Sequence, residues 1–405
     1  MKYKLIYILI PFLLSCKSDE LDCCGQLTKE LPLINIQTDD FQDITSKDDY
    51  VTGVFEFLSN DYDFENFSFP IKIRGRGNST WNFPKKSYQF KFEEKYTFFD
   101  MPEDKKWLML ANYSDKTMIR NAIAFEFGYI SALDWTPAFH FADVNINGNS
   151  KGLYQFMEKV ETGESNRVKI GDEGYLLEVD QLDRIDDDDI SFWTNKKLLF
   201  VIKDPDLQWG SAELEEIESY VNETENILYS ETFKDSEHGY SKYIDVDSFV
   251  DWYIINEISK NNDAIFFSSV YMNYVSGGKL KMGPLWDFDI AFGNINYNDN
   301  EKIDGFWVKN SLWINRLFED EKFVNKVKIR YNYFYNNRNY IIEKARTYSN
   351  QIKQSRFNNE SVWNILGKYI WPNNFVGNSF DEEQLYFENW IIDRMDWLYI
   401  EINRL

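Results

Sequence analysis

The chain has 405 residues, with 67 acidic and 44 basic side chains and a formal net charge of −23. Such an acidic surface argues against nucleic acid or anionic lipid as a partner. The only histidines, His140 and His238, argue against histidine triads and multi-histidine zinc sites, so a general base would be a carboxylate. The 18% of aromatic residues fits either dense core packing or sugar-stacking surfaces, in one large or two coupled domains.

Residues 1–15 have the pattern of a signal peptide. Lys2 and Lys4 precede an apolar run that is shorter than the roughly 20 residues a membrane-spanning helix needs. The run ends in Leu-Leu-Ser-Cys, the pattern of a bacterial lipobox, so Cys16 is predicted to carry a lipid and to begin the mature chain. An ordinary signal peptide in which Cys16 is incidental is the alternative.

The residues that follow Cys16 indicate where the protein is sent. The residue after Cys16 is Lys17, whereas an aspartate at this position would signal retention at the inner membrane. The next residues, Ser18-Asp19-Glu20, resemble the acidic export tags of Bacteroidetes surface lipoproteins. We therefore expect a protein that is exposed at the cell surface and held at the outer membrane by its N-terminal lipid only. The adjacent Cys23 and Cys24 predict no disulfide framework.

The remaining chain predicts one continuous α+β unit without linkers or internal repeats. Residues 16–45 form a tether that leads into a first strand at 31–36, and residues 46–405 form the domain. Antiparallel hairpins dominate its N-terminal part, to about residue 210, and helices its C-terminal part, about 211–405. The acidic run Asp186–Asp189 is either a solvated loop or a cation site.

Two hairpins and two helices have clear local signals. A period-two pattern in 71–74 resumes at 88–92 after a Gly-rich break, and Asn147-Gly148 predicts a tight turn in a second hairpin. Ser114 is predicted to cap a helix that begins at Asp115 and ends near Gly128. Ser379 and Glu382 form a capping box before a C-terminal amphipathic helix.

The side chains best suited to chemistry lie between residues 261 and 293. Asp263 follows the apolar helix 249–258, and a later strand is expected to deliver Asp287 and Asp289 at its end. Two acids spaced i, i+2 on a strand point to one face, so both could reach the same metal. Phosphoryl transfer needs one carboxylate near the acceptor hydroxyl and others on a Mg²⁺ that bridges nucleotide phosphates.

Each of these side chains also has a purely structural interpretation. Asp263 could cap a turn, Asp287 and Asp289 could be solvated acids at a strand end, and Lys203 could be an ordinary surface lysine. A structural ion-pair network and ligand contacts are both open for three more residues: Arg74, Asp115 and Arg120.

Six ordered motifs resemble those of the CotH family, the spore-coat H-like proteins, over nearly the whole mature chain. Each motif is weak alone, but their order and spacing are specific. The motifs are RGRGNST at 74–80 with PKKSY at 84–88, LANYSDK at 110–116 with 120–121, NG at 147–148 with KGLY at 151–154 and Glu158, GYLLE at 174–178, and WDFD at 286–289.

The resemblance implies an atypical protein-kinase fold that binds ATP with Mg²⁺ or Mn²⁺ and phosphorylates serine or threonine hydroxyls of proteins. It makes Asp263 the catalytic aspartate, Asp287 the metal-binding aspartate, and Asp289 a second metal ligand. One position departs from kinases: Ser268 stands five residues after Asp263, where kinases have a metal-binding asparagine.

The same resemblance assigns residues to the nucleotide phosphates. Lys203 would contact the α- and β-phosphates and pair with Glu213 or Glu216 on the following helix. Asn78 and Lys86, in the first hairpin, would cover the phosphates.

Three functions remain open from the sequence. The three aspartates favour a protein kinase carried on a surface or periplasmic lipoprotein. Ser268 and the export signal favour a catalytically weak or inactive binding or adhesion lipoprotein, with a protein, glycan or mineral partner, because ATP is scarce outside the cytoplasm. Glycoside hydrolysis by two carboxylates is a third alternative, but no specific spacing supports it. The phosphoacceptor and the oligomeric state are not indicated.

Overall fold

The computed structural model describes residues 30–60, 64–97, 99–163 and 167–405. The predicted signal peptide, the lipidation site Cys16 and the acidic residues after it lie outside the described residues, so those assignments stay predictions. Within the described part of the chain, no helix combines the length and apolarity that crossing a membrane requires.

Seven strands in the N-terminal part close into a barrel, in the order β1-β2-β3-β4-β5-β7-β6. Neighbouring strands are antiparallel except for β1 and β6, whose parallel pairing closes the barrel, so the segment expected as a first strand completes the fold. Phenylalanines fill the interior, with Phe55 stacked 5.1 Å from Phe90. The strands are β1 (Leu33–Thr38), β2 (Val51–Leu58), β3 (Phe67–Arg76), β4 (Ser87–Tyr96), β5 (Asp104–Leu110), β6 (Phe139–Ile146) and β7 (Asn149–Glu158).

Both predicted hairpins are confirmed. Strands β3 and β4 pair with Ile73 opposite Phe90, as the alternating pattern requires. Asn147 and Gly148, with φ of 52° and 75°, form the two-residue turn between β6 and β7. Positive φ at both central residues is the geometry that makes Asn-Gly the preferred hairpin turn.

A second, five-stranded sheet has the order β12-β11-β8-β10-β9. Strand β8 lies between β10 and β11 and is antiparallel to both, so its side chains are central in this sheet. The strands are β8 (Gly174–Val179), β9 (Ser191–Trp193), β10 (Leu199–Asp204), β11 (Val270–Val275) and β12 (Lys281–Met282).

Helices dominate the C-terminal part, which confirms the α+β class. One hydrophobic cluster joins the second sheet to them and includes Leu177, Phe249, Trp313 and Ile391. The helices are α1 (Arg120–Tyr129), α2 (Ala212–Leu228), α3 (Val246–Ser259), α4 (Leu312–Leu317), α5 (Glu321–Asn336), α6 (Arg338–Gln351), α7 (Lys353–Trp363) and α8 (Phe380–Arg404). At the start of α8, Ser379 Oγ accepts a hydrogen bond from Glu382 N at 3.2 Å, as predicted.

The first predicted helix begins later than expected, at Arg120 instead of Asp115. The Asp115 carboxylate accepts hydrogen bonds from the backbone N–H groups of Thr117, at 3.0 Å, and Arg120, at 2.8 Å. Asp115 therefore folds the chain into a turn ahead of the helix and supplies acceptors for its first donors.

The prediction that a strand carries Asp287 and Asp289 was also wrong. Strand β12 ends at Met282, and the next residues are Gly283 and Pro284, the second of which has no N–H to donate. Asp287 and Asp289 therefore lie in a loop, and Asp287 adopts a φ of 65°.

Candidate functional site

A cleft of about 800 Å³ lies where the β3–β4 turn of the barrel meets the second sheet and the loops after α3 and β12. It brings together five residues that the sequence had singled out: Asn78, Lys203, Asp263, Asp287 and Asp289. Three others, Lys86, Glu213 and Glu216, do not line it. The cleft also contains charged residues that sequence reasoning did not assign to a site: Arg76, Glu178, Asp180 and Arg184.

Asp263 lies in a single helical turn, Asn262–Ala264, just after α3 ends. Asn262 Nδ2 donates to Asp263 Oδ1 at 2.7 Å. The Asn262 side-chain oxygen in turn accepts from Asn298 at 2.9 Å and from Asn300 at 3.2 Å. Asp263 is thus oriented by an amide that the loop before α4 holds in place.

The second oxygen of Asp263 contacts a basic side chain from the loop between β8 and β9. Arg184 Nη1 lies 3.6 Å from Asp263 Oδ2, and Ser268 Oγ donates to the same oxygen at 3.2 Å. Arg184 also donates to Ser268 Oγ, and its guanidinium lies 4.9 Å from the centre of the Phe267 ring. Asp263, Ser268 and Arg184 therefore form a closed triangle of polar contacts.

Asp287 and Asp289, two residues apart in the loop after β12, both line the cleft, and the charge of Asp287 helps to raise the pKa of Asp289. Asp289 is buried, and burial raises its pKa well above the usual range, with the charges of Asp287 and Asp115 adding to the effect. Asp287 is open to the cleft, but the surrounding protein displaces enough water to raise its pKa; Asp263 adds to this shift and Arg76 opposes it. Two carboxyl groups this close favour sharing a proton or binding a cation.

Backbone and side-chain contacts hold this pair in place. Ser114 Oγ donates to Asp289 Oδ2 at 3.3 Å, and the backbone N–H of Phe288 donates to Asn121 Oδ1 at 2.8 Å. The loop is therefore anchored to the segment before α1 and to α1 itself, which compensates for the lack of a strand at Asp287 and Asp289.

The Asp287–Asp289 pair fits a divalent cation that is only partly coordinated by protein. Among the described residues, no three histidine, cysteine, aspartate or glutamate side chains come together at metal-binding spacing. Mg²⁺ is commonly held by one or two carboxylates, with water and substrate phosphates as its remaining ligands. The pair matches that type of site and does not match an all-protein cage.

Lys203 lies at a bulge in β10, where the register with β8 shifts between Ile202 and Asp204. Its Nζ is 3.5 Å from Glu178 Oε2, so the expected pairing with Glu213 or Glu216 was wrong. Burial lowers the pKa of Lys203, but Glu178, with Asp189 and Asp180, outweighs it and leaves the pKa raised. Lys203 thus stays a cation at the cleft.

The glutamates of α2 point elsewhere. Glu213 is exposed in the first turn of the helix, and Glu216 accepts a hydrogen bond from Ser276 Oγ at 2.6 Å, in the turn after β11. Sequence order suggested that the partner of Lys203 lies on the helix that follows it. In the structure the partner is Glu178, on the neighbouring strand β8.

Arg76 lies at the end of β3, with its guanidinium 5.2 Å from the centre of the Trp286 ring. Burial lowers its pKa, and Asp287 is the largest of the acidic groups that oppose this shift. Its place in the RGRGNST motif was a signal that could have identified it. Lys86, by contrast, donates to the Trp81 carbonyl and lies over the Trp81 ring, so it braces the β3–β4 turn.

The remaining open assignments divide between the interior and the surface. Asp115 and Arg120 form a fully buried ion pair, which is structural. Arg74 lines the cleft mouth, where it lies 4.9 Å from the centre of the Tyr50 ring. In the exposed Asp186–Asp189 run, the Asp186 N–H donates to Asp189 Oδ2 at 3.0 Å, and no three-ligand metal group was found in the described chain.

Comparison with known proteins gives the cleft a family context. Residues 73–398 match the family model described as CotH kinase protein. The chain is also 28% identical over 264 residues to the inner spore coat protein H of Bacillus subtilis (strain 168), an alignment that covers 62% of this chain and 67% of that protein. The matched region contains the charged cleft residues described above, from Arg74 to Asp289. The chain belongs to the CotH family.

Proposed function

We propose that the cleft binds ATP with a divalent cation and transfers the γ-phosphoryl group to a serine or threonine hydroxyl of a protein. The observation that carries the proposal is the convergence of Asp263, the Asp287–Asp289 pair and Lys203 on one cleft. We also propose that the lobes around it are kinase-like, because the lysine strand, the aspartate turn and the metal-aspartate loop follow each other in kinase order.

Asp263 would accept the proton of the acceptor hydroxyl. Its hydrogen bond from Asn262 fixes one oxygen, and the carboxylate lines the cleft with 19% of its side chain exposed. Lys203, from the second sheet, and Arg76, from the barrel, would bind phosphate oxygens as cations. Asn78, in the exposed β3–β4 turn, would lie over the phosphates.

Asp287 and Asp289 would hold the Mg²⁺ or Mn²⁺. When bound, the cation would neutralise phosphate charge and align the transferred group for in-line attack. Its charge would also relieve the repulsion between the two carboxyl groups, so the carboxylates could both ionise. Glu178, 3.5 Å from Lys203 Nζ, helps to keep Lys203 charged at the cleft.

One observation favours a second candidate, a surface-binding lipoprotein with little or no transferase activity. Both oxygens of Asp263 are already engaged, one by Asn262 and the other by Ser268 and Arg184. A base held in this way must exchange a partner before it accepts a substrate proton. This candidate would use the same cleft to hold a ligand without turnover.

We also propose that Cys16 anchors the protein at the outer membrane, exposed at the cell surface. The proposal rests on the lipobox and the following acidic residues alone. It would place the cleft at the end of a tether of about 15 residues, with an end-to-end distance of roughly 20 Å if the tether is flexible.

The test is transfer of labelled γ-phosphate from ATP to protein by the purified chain, with Mg²⁺ or Mn²⁺ and with chelator as a blank. Wild type should transfer label, and Asp263→Asn should transfer it at least about 10²-fold more slowly while it still binds ATP. Asp287→Asn should lose both phosphoryl transfer and ATP binding. Folded wild type that binds ATP but transfers nothing would favour the second candidate.

A further inference from the structure

The contacts of Arg184 bear on how many metal ions the cleft can hold. In protein kinases two Mg²⁺ ions are held by the metal aspartate and by an asparagine five residues after the catalytic aspartate. Here that position is Ser268, which is buried. Its hydroxyl hydrogen is used on Asp263 Oδ2, and the oxygen accepts from Arg184. The hydroxyl is therefore committed to protein partners on both sides.

Arg184 already supplies a positive charge at the position where a second metal ion would lie. The Arg184 guanidinium lies 3.6 Å from Asp263 Oδ2, within ion-pair range, and comes from the loop between β8 and β9. A divalent cation at Ser268 would lie beside a fixed positive charge, and like charges at such distances repel strongly where the effective dielectric is low. Ser268 thus offers no free ligand, and the charge of Arg184 opposes a second metal there.

A brace keeps Arg184 at this place. Gln181, three residues earlier in the same loop, donates from Nε2 to the Phe267 carbonyl at 2.6 Å. The guanidinium covers the Phe267 ring, so the loop is tied to the Asp263 segment by two different contacts. The guanidinium therefore has a defined position in the cleft, although 31% of its side chain remains exposed.

We infer that Arg184 takes the place of the second metal ion, so that the cleft holds one divalent cation, on Asp287 and Asp289. This inference rests on the proposed nucleotide site and specifies its metal content. Arg184 would then also offer its outward N–H groups to the phosphoryl group, because a guanidinium has five donors and the contacts described use few of them.

The experiment counts bound Mn²⁺ per chain by electron paramagnetic resonance, with and without a non-hydrolysable ATP analogue. Binding of the analogue is measured separately by calorimetry. Wild type is expected to bind one Mn²⁺, and Asp287→Asn none. The Arg184→Ala/Ser268→Asn double variant, which removes the cation and restores the amide, is expected to gain a second Mn²⁺, and Arg184→Lys to stay at one.

Two ions or none on folded wild type would overturn the inference, and so would a double variant that stays at one. The failure of the proposed function looks different. In that case the analogue does not bind, whereas one Mn²⁺ on wild type and two on the double variant would still support the role of Arg184. Far-ultraviolet circular dichroism confirms that each variant is folded before ions are counted.

Discussion

Lys203 Nζ lies 3.5 Å from Glu178 Oε2, across the neighbouring strands β10 and β8 of the second sheet. Glu178 is buried, while Lys203 is about one third exposed. Burial raises the pKa of Glu178, and Lys203 is the largest influence that opposes the shift. Each partner therefore determines the charge state of the other at the cleft.

This pair predicts a measurable coupling. Lys203→Met should destabilise the fold by leaving Glu178 buried without its cation, and Glu178→Gln in the same chain should recover part of the loss. We expect a coupling of about 1 kcal/mol in a urea double-mutant cycle, reduced by the partial exposure of Lys203. The exposed pair Lys281–Asp134, at 2.6 Å, is the control and should show much less. Equal coupling in both pairs would contradict this account.

Asn262 should act on catalysis by positioning Asp263. Asn262→Ala removes the 2.7 Å hydrogen bond to Asp263 and the link to Asn298. We expect kcat to fall by about 10² with little change in KM for ATP, because the phosphates bind elsewhere. Asn296→Ala, which removes an exposed hydrogen bond to Tyr369, is the matched control. A fall in ATP affinity instead of kcat would remove Asn262 from this role.

The buried Asp115–Arg120 pair should support the fold. Asp115→Ala leaves a guanidinium with 0% exposure without its carboxylate, so unfolding free energy should fall by about 3–5 kcal/mol. Ser114→Ala, which loses only the 3.3 Å bond to Asp289, should cost about 1 kcal/mol. Chemical denaturation distinguishes the two. A stable Asp115→Ala protein that has lost ATP binding would instead mark Asp115 as a ligand.

Glu158 should give the fold a defined pH dependence. Burial raises its pKa from 4.5 to about 7. The hydrogen bond from the backbone N–H of Ala138 and the positive charge of Arg167 oppose the shift. The native state then binds more protons than the unfolded chain between these values. The Glu158 contribution to stability therefore falls as pH rises from about 4.5 to about 7 and stays low above that.

Glu158→Gln should remove this part of the pH dependence. As pH rises from acid to neutral, the unfolding free energy of the variant relative to that of wild type should increase by up to about 3 kcal/mol, measured by urea denaturation. Glu94→Gln, at a side chain that is 78% exposed, is the control and should follow wild type. Parallel curves for wild type and Glu158→Gln would exclude the raised pKa.

Lipidation can be tested apart from the cleft. Cys16→Ser should abolish incorporation of a labelled fatty acid and release the chain from the membrane fraction, because the thiol is the predicted attachment point. Cys23→Ser, seven residues later, should leave both unchanged. Labelling that persists in Cys16→Ser would remove the lipobox interpretation.

The sequence correctly predicted the structural elements that depend only on residues close together in the chain. The Asn147-Gly148 turn and the Ser379 cap depend on a few neighbouring residues, and both are confirmed. The α+β class followed from the change from period two to helical periodicity along the chain. The strand expected to carry Asp287 failed because its length depended on Pro284 and on contacts from Asn121, which no period reveals.

The candidate site shows the same division. The cleft contains Lys203, Asp263, Asp287 and Asp289 together, as their order along the chain suggested. Their partners come from sheet neighbours and distant loops: Glu178 reaches Lys203 across a strand pair, and Arg184 reaches Asp263 from 79 residues away. Such partners are set by topology, which sequence spacing does not contain.

The most direct test of a nucleotide and metal site is equilibrium binding of ATP to the purified chain with and without Mg²⁺. Wild type should bind ATP with Mg²⁺ and lose most affinity with chelator, Asp287→Asn should bind weakly in both conditions, and Asp263→Asn should bind as wild type does. Folded wild type that binds no ATP in the presence of Mg²⁺ would contradict the account.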